Sequence, residues 1–576
     1  MTIFSERRFS SFTFLNATQF LAALNDNIYK LLVIFFCIQL EGMENSHKIL
    51  ATTGAIFVLP FLLFSASAGI LADRFSKRNI IILTKTLEFI TLAISVSAFY
   101  YESKLAAYFI LFLMATYSAI FAPSKYSILP ELVSSDKISK SNGLMTSFTF
   151  LAIILGTFTA SFLLEISGRN YVFVGLFSTF LGFIAMVASF CIEETPPAGS
   201  SKRFNIFFLG EIASTLKQAA SYPSLLTAMF GSAFFLFLGA FVQLNAIPFA
   251  VESLNLTDVQ GGYLFLLTAV GIGTGAMIAG KISGATIELG LVPLAGLGVA
   301  ICSYFMDYYA HDLVAVIPLI ILLGLFGGIY QIPLDSYVQV ASPKTSRGQM
   351  IAATNFLSFF GVLCASGLLY LNSHVFGLSS GEGFIVMGTI TIIVTVLISF
   401  QYFDYLTRFI GMILSWLHFK TTIHGLENIS DEPAIYICKH TAWNDTLLML
   451  GSQRLRMRFF IEHEQDHSHS WIKKIYRMLR VVMVTSIEPL ENNLECIASI
   501  KNALKKRISV CIFVDKDNIG EEIKKLNQSY SFNKVCDEVG CPIIAVTLQK
   551  GEKEKSSPIF TRLWNKLRVP AEITFV

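Results

Sequence analysis

Long apolar runs separated by short polar breaks dominate the first 405 residues of the chain. A helix needs about 20 mostly apolar residues to cross a bilayer. Twelve runs meet that length, at about residues 12–39, 49–72, 79–100, 105–126, 143–165, 171–192, 223–250, 259–282, 289–307, 313–335, 349–373 and 383–405. The longest polar interval among them, EETPPAGSSKRFNIFFLGEIASTLKQAASYPS, follows the sixth run and predicts a linker at about 193–222 between two six-helix halves.

The pattern changes near residue 421. Short β-like runs (AIYIC, RFFI, VCIFV, PIIAVTL) alternate there with polar helical stretches such as LECIASIKNALKKR, which predicts a separate α/β domain over residues 421–576. The connecting stretch at 406–420, with TRFIGMILSWLHFK at its core, is apolar and aromatic with few charges. It reads either as a helix lying along the inner membrane surface or as a simple linker helix.

Basic residues set the expected orientation. The loops after runs 2, 4, 6, 8 and 10 hold Arg74, Lys77, Arg78, Lys137, Lys140, Lys202, Arg203, Lys217, Lys281, Lys344 and Arg347, whereas the opposite loops hold little beyond Lys48, Lys104 and Arg169. Both ends of the bundle, and the domain that follows it, are therefore expected in the cytoplasm. Two arginines precede the first run with no small-residue cleavage site after it, so the N-terminus reads as the lead-in to a retained helix.

Composition removes the alternative of several soluble domains: 54% of the 576 residues are hydrophobic, 14% are charged, and 52 are Phe. A net charge of +3, without basic clusters, excludes nucleic acid as an expected partner. The nine cysteines form no C-x-x-C pair and have no partner His at zinc spacing, so they read as reduced and mostly buried, and no metal site is expected.

Three features of the bundle carry candidate chemistry. GILADRFSKR, with Gly69, Asp73, Arg74 and Arg78, stands between runs 2 and 3. Its Gly allows close helix approach, and its Asp and basic residues suit a charge latch that opens and closes with alternating access. LAALNDNIYKLLV places Asn25, Asp26 and Asn27 inside the first apolar run, where a carboxylate is costly and marks a functional site. Lys125, just after Pro123 in IFAPSKYSILPEL, reads as close to the end of run 4, able to snorkel outward or face a central cavity.

The six-plus-six plan resembles that of major-facilitator transporters, and GILADRFSKR falls where that family carries its best-known signature. The run from Asp26 through APSKYSILPEL and SNGLM, together with KISGATIELGLVPL and PLDSYVQVASPKTSRGQMIAATN, resembles the lysophospholipid transporter family, LplT. That resemblance covers roughly residues 12–405 and implies movement of lysophospholipids, such as lysophosphatidylethanolamine, to the inner leaflet of a bacterial inner membrane. It suggests Asp26 and Lys125 as polar members of the pathway, with a coupling cation at Asp26, and Asn27 beside Asp26 is a further candidate for substrate binding. Run 7, MFGSAFFLFLGAFVQLNAIPFAVE, has no Lys or Arg and offers Gln243 and Asn245. Head-group recognition is therefore expected to differ from that of relatives with a cation there.

In the C-terminal domain, His440 precedes Asp445 in KHTAWNDTLLML, at a strand-to-helix junction. A His suits proton removal from a hydroxyl near neutral pH, and a carboxylate can fix its tautomer. The stretch HGLENISDEPAIYICKHTAWNDTLLML resembles the opening of PlsC-type glycerolipid acyltransferases, a domain also found behind LplT in bifunctional Aas proteins. On that resemblance His440 is the base, Asp445 its orienter, and Asp515 a remnant of the acceptor-binding block. The chain departs from the pattern at Lys439, where the family has Asn, and at Val514, Asp515 and Lys516, where it has Pro, Glu and Gly.

No Gly/Ser/Thr-rich ATP loop is present and the chain stops at Val576. No bound cofactor is expected, and an acyl-CoA or acyl-carrier-protein donor would be charged by a separate enzyme, such as an acyl-carrier-protein synthetase. Three readings stand at this point. One is a transporter coupled to reacylation. A second is a transporter with a degenerate, non-catalytic lipid-binding domain. The third is a general exporter, against which PSKYSILPEL argues.

Overall fold

The structure, a computed structural model, describes residues 2–202, 208–284, 286–425, 433–439, 444–452, 456–463, 482–485, 494–506, 508–514, 538, 540–550 and 569–575. It divides into two compact units, Met1–Gln401 and Tyr402–Val576.

The first unit is helical: α1 (Thr2–Glu41), α2 (Ser46–Arg74), α3 (Lys77–Tyr100), α4 (Lys104–Leu132), α5 (Ile138–Ile166), α6 (Tyr171–Phe190), α7 (Phe208–Ala220), α8 (Leu225–Glu252), α9 (Asp258–Ser283), α10 (Leu291–Tyr308), α11 (Leu313–Ala341), α12 (Arg347–Tyr370) and α13 (Ser380–Gln401). Twelve of these helices are long and apolar enough to cross a membrane, the exception being the 13-residue α7. Helices are the natural outcome of such runs, because a bilayer offers backbone N–H and C=O groups no partner outside the segment. Side chains cap several ends: Asn170 accepts from the Phe173 N–H at 3.0 Å, Asp312 from the Val314 N–H at 3.0 Å, and Thr257 and Gln260 form a reciprocal capping box on α9.

Two sequence expectations need correction. Run 4 does not end near residue 126, since α4 continues through Pro123 and Pro130 to Leu132. Each proline removes one backbone hydrogen bond, but buried Ile128, Leu129 and Leu132 hold the last turns in the core, and Glu131 pairs with Lys77 at 2.6 Å. Lys125 is thus about two turns inside the helix rather than at its end. The linker at 193–222 also contains α7, whose buried Ile212, Thr215 and Ala219 recur at helical spacing.

The halves meet where α2 packs on α12, α5 on α9, and α11 on α4 and α5. Small residues permit these approaches: a Cβ on Gly143 would stand 2.5 Å from the Ala276 carbonyl oxygen, and one on Gly280 would stand 2.9 Å from that of Ser139. The end of the bundle carrying the α2–α3 and α4–α5 turns is called the basic end below.

The second unit opens with α14 (Phe403–His418), then β1 (Phe419–His424), β2 (Ile435–Lys439), α15 (Asp445–Ser452), β3 (Met457–His463), β4 (Val482–Thr485), α16 (Leu494–Lys505), β5 (Ser509–Val514), β6 (Ile543–Lys550) and β7 (Val569–Phe575). The strands form one seven-stranded sheet in the order β1-β7-β6-β2-β5-β3-β4. Neighbours run parallel except β6 and β7. Both faces are covered, as the continuous apolar runs require. Tyr436, Cys438, Cys511 and Phe513 enter one core, while Ile435, Ile437, Val510, Ile512 and Val514 enter the other with α16. On the first face α14 packs on α15, where a Cβ on Gly411 would stand 2.5 Å from Leu450.

Candidate functional site

Charged side chains gather at the middle of the bundle. Asp26 on α1 is half-buried, and its Oδ2 accepts from the Ser118 hydroxyl of α4 at 2.8 Å. Asn27 donates from Nδ2 to the Ala23 carbonyl, 2.8 Å away on its own helix. One turn further on, the Lys30 ammonium lies 5.4 Å from the Phe57 ring centre. On α3, Lys85 and Glu88 form an ion pair with each side chain only 1% exposed. The Lys85 ammonium also lies over Phe121 of α4 at 4.3 Å, and Lys125 sits against the same ring at 5.6 Å and over Tyr126 at 4.5 Å. Aromatic faces of this kind stabilise ammonium groups that have left bulk water.

The second half contributes Asp335 on α11. Its carboxylate accepts from the Ser232 hydroxyl of α8 at 2.6 Å and from Gln331 Nε2 at 2.7 Å. Lys125 is in electrostatic reach of Asp26, Lys85 and Asp335, and Asp26 of Lys30, Lys85 and Glu88. The cluster thus holds Asp26, Glu88 and Asp335 against Lys30, Lys85 and Lys125, with no net formal charge.

Sequence reasoning had picked out Asp26, Asn27 and Lys125 and passed over Lys30, Lys85, Glu88 and Asp335. The signal was available for each of these, since every one is a charge inside an apolar run, and Lys30 follows Asp26 at helical i,i+4 spacing.

At the basic end, Asp73 closes the last turn of α2 on the first turn of α12. Its carboxylate accepts from the Gly348 N–H at 2.7 Å, the Gln349 N–H at 2.9 Å and Gln349 Nε2 at 3.1 Å. The two backbone N–H groups are free donors of a helix N-terminus, which also favours a negative charge. The contact needs two glycines: a Cβ on Gly69 would stand 2.8 Å from the Gln349 Cα, and one on Gly348 would stand 2.8 Å from Asp73 Oδ1.

Arg78 works within the first half, donating from Nε to the Ile192 carbonyl at 2.7 Å and from Nη2 to that of Phe190 at 3.2 Å. Arg74 is exposed, 5.6 Å from the Phe75 ring centre. The linker joins this latch through Lys202, which donates to Gln349 Oε1 at 2.9 Å and pairs with Glu211 of α7 at 2.7 Å. A second, uncharged clasp crosses the halves where Asn142 of α5 donates to Ser336 and Gln339 of α11, each at 3.0 Å. Gln339 returns a bond at 2.9 Å.

In the second unit, β2 ends at Lys439, whose register partner is Val514 at the end of β5. Asp445 opens α15 and is fully buried, while the Asn444 carbonyl accepts from the Leu448 N–H at 3.1 Å. His440 and Asp515, the next residues after these two strand ends, lie outside the described residues. From β2 the chain passes to β3, β4 and β5 on one side and then to β6 and β7 on the other, so the carboxyl edge of β2 lies at the topological switch where open α/β sheets bind ligands. Burial, with Cys438 and Asp445 nearby, pushes the Cys511 thiol well above its ordinary range. That disfavours thiolate chemistry behind this edge.

A family model for the Major Facilitator Superfamily matches residues 15–366, and one for acyltransferases matches residues 420–549. The lysophospholipid transporter LplT of Escherichia fergusonii is 26% identical over 366 residues, covering 61% of this chain and 86% of its own. LplT of Klebsiella pneumoniae subsp. pneumoniae is 27% identical over 365 residues, with the same shares. Among solved structures, the human organic anion transporter MFSD10 (TETRAN) aligns with a TM-score of 0.56 at 15% identity, covering 68% of this chain and 99% of its own. FucP in the outward conformation aligns with a TM-score of 0.57 at 12% identity, covering 69% and 99%. At these identities the structures share the bundle fold.

Proposed function

The chain belongs to the major facilitator superfamily, and we propose that it carries lysophospholipid, such as lysophosphatidylethanolamine, to the inner leaflet of a bacterial inner membrane, where the second unit reacylates it. The observation that carries this reading is the order of the matches in one chain: lysophospholipid transporters align with the bundle, and an acyltransferase model covers the unit after it. The balanced central cluster supports it, because a phosphate and an ammonium on one head group call for charges of both signs. In the transport cycle, Asp26 and Lys125 line the path, and the latch at Asp73 closes the basic end, which faces the cytoplasm.

In the second unit, His440 takes the proton of the lysolipid's free hydroxyl while Asp445 orients the imidazole and stabilises its charged form. The hydroxyl oxygen bonds to the thioester carbonyl carbon of acyl-CoA or acyl-carrier protein, the C–S bond breaks, and the proton passes to the departing thiolate. Asp515 sits at the acceptor's glycerol phosphate end. Ile413, Leu414, Trp416 and Leu417 of α14 are exposed, a face suited to the membrane surface. Attachment to the transporter raises the local concentration of each new acceptor.

A second reading keeps the transporter and makes the unit a non-catalytic lipid-binding module. Lys439 and the Val514-Asp515-Lys516 block favour it. The deciding experiment uses the full chain in proteoliposomes, following lysolipid entry and acyl transfer from acyl-CoA or acyl-carrier protein beside a His440→Ala control. Transfer that the substitution abolishes supports the first reading, and entry without transfer supports the second. Absence of lysolipid entry removes both.

A further inference from the structure

Asp335 stands in the interior of α11, a helix that crosses the membrane. It is half-buried between fully buried Leu334 and Ser336. A carboxylate at this depth requires partners, and those it has, Ser232 and Gln331, are both neutral. The next residue, Ser336, bonds across to Asn142 of the first half, and α11 packs against α4. Asp335 is also in electrostatic reach of Lys125 on α4, which places it toward the face of the second half that meets the first.

The nearest counterpart on α4 is Lys125, also half-buried, whose ammonium rests against Phe121 and Tyr126. Among the described residues neither Lys125 nor Asp335 closes an ion pair. Opposite charges on the two halves, each kept by neutral or aromatic groups, leave both free to take a bound partner. The α8 helix offers no Lys or Arg that would answer Asp335 from its own half.

We infer that Asp335 is the head-group specificity residue of the second half: it takes the ammonium of a zwitterionic lysophospholipid whose phosphate is held by Lys125, so that one head group bridges the halves. Ser232 and Gln331 keep the carboxylate turned toward the path. This rests on the lysophospholipid reading and extends it to the class of head group, favouring an amine over a polyol. A lysolipid with a glycerol head offers Asp335 only neutral hydroxyl donors, whereas an ammonium adds a full opposite charge, whose attraction to the carboxylate grows as the surroundings become less polar.

The test is competitive uptake of lysophosphatidylethanolamine and lysophosphatidylglycerol by the full chain in proteoliposomes, comparing the native protein with Asp335→Asn and Asp335→Glu. The native protein is expected to prefer the amine lipid. Asp335→Asn should lower the amine-to-glycerol uptake ratio about tenfold, mainly through KM for the amine lipid, and Asp335→Glu should keep most of the preference. An unchanged ratio in Asp335→Asn would overturn the assignment while leaving lysophospholipid transport standing. Equal loss of both lipids in Asp335→Asn and Asp335→Glu would also overturn it, marking a structural role. A native protein that carries neither lipid would remove the transport reading and this inference together.

Discussion

The bundle and the C-terminal unit place their polar chemistry in opposite ways. In the bundle the charged groups stand within helices and are held by other side chains: Asp26 by Ser118, Lys85 by Glu88, Asp335 by Ser232. In the C-terminal unit the candidate groups go with element ends: in sequence His440 follows Lys439 and Asp515 follows Val514, the last residues of paired strands, and Asp445 opens α15. The difference follows from the solvent. Inside a bilayer the helical backbone satisfies itself and cannot be opened cheaply, so function has to be carried by isolated side chains. In an α/β sheet the strand ends and helix starts expose backbone and side chain together, so position in the topology marks the site.

On the proposed reading, the two units carry reactions that can be lost separately. The largest effect is expected from His440→Ala, which should lower acyl transfer about 10²-fold or more while lysolipid uptake continues. Asp26→Ala should abolish uptake in spheroplasts at normal membrane expression, while purified protein still acylates lysolipid presented in detergent. Loss of both activities in either variant would break the separation.

Smaller effects separate the two contacts between the halves. Asp73→Ala strips the acceptor from the first turn of α12, at a cost of about 1–3 kcal/mol, and should slow uptake and lower the thermal unfolding temperature in detergent. Asn142→Ala or Gln339→Ala should cost less, about 1 kcal/mol. Because the two amides bond each other, the double variant should be little worse than either single one; additive losses would show that the clasp is not a unit.

The smallest effect concerns Cys511. Its raised pKa leaves less thiolate at any given pH. A maleimide at pH 8 should modify exposed Cys191 well before Cys511, which should react only on unfolding. Early labelling of Cys511 would place it outside the core.

The twelve spans and the strands β2, β3, β5 and β6 were legible because each is a run of apolar residues of the right length. The strands β1, β4 and β7 were not: FKTTIH and VPAEITF mix polar and apolar residues, and VMVT is only four residues long. The end of α4 was misread because the apolar run breaks into polar residues from Ser124 and Lys125 onward, and only tertiary packing of Ile128, Leu129 and Leu132 shows that the helix continues. Asp335 was visible as a charge but not as a site, since a single charge in an apolar run does not say which way its helix face turns. The partner of Asp73 had no signature at all, because most of what it binds is backbone N–H.

Gly348 carries a consequence for how long the transporter dwells in each access state. Its N–H is on Asp73, and a Cβ on it would stand 2.8 Å from the Ala72 Cβ and 2.9 Å from the Gly69 carbonyl oxygen, so it has no room for even a methyl group while the basic end is closed. Overpacking of this kind typically costs about 1–3 kcal/mol, and the cost falls only on the closed state. A single Gly348→Ala change would therefore shift the closed-to-open ratio by about five- to 150-fold without touching the lipid path. One absent carbon atom at Gly348 would thus be enough to weigh on which access state the transporter prefers.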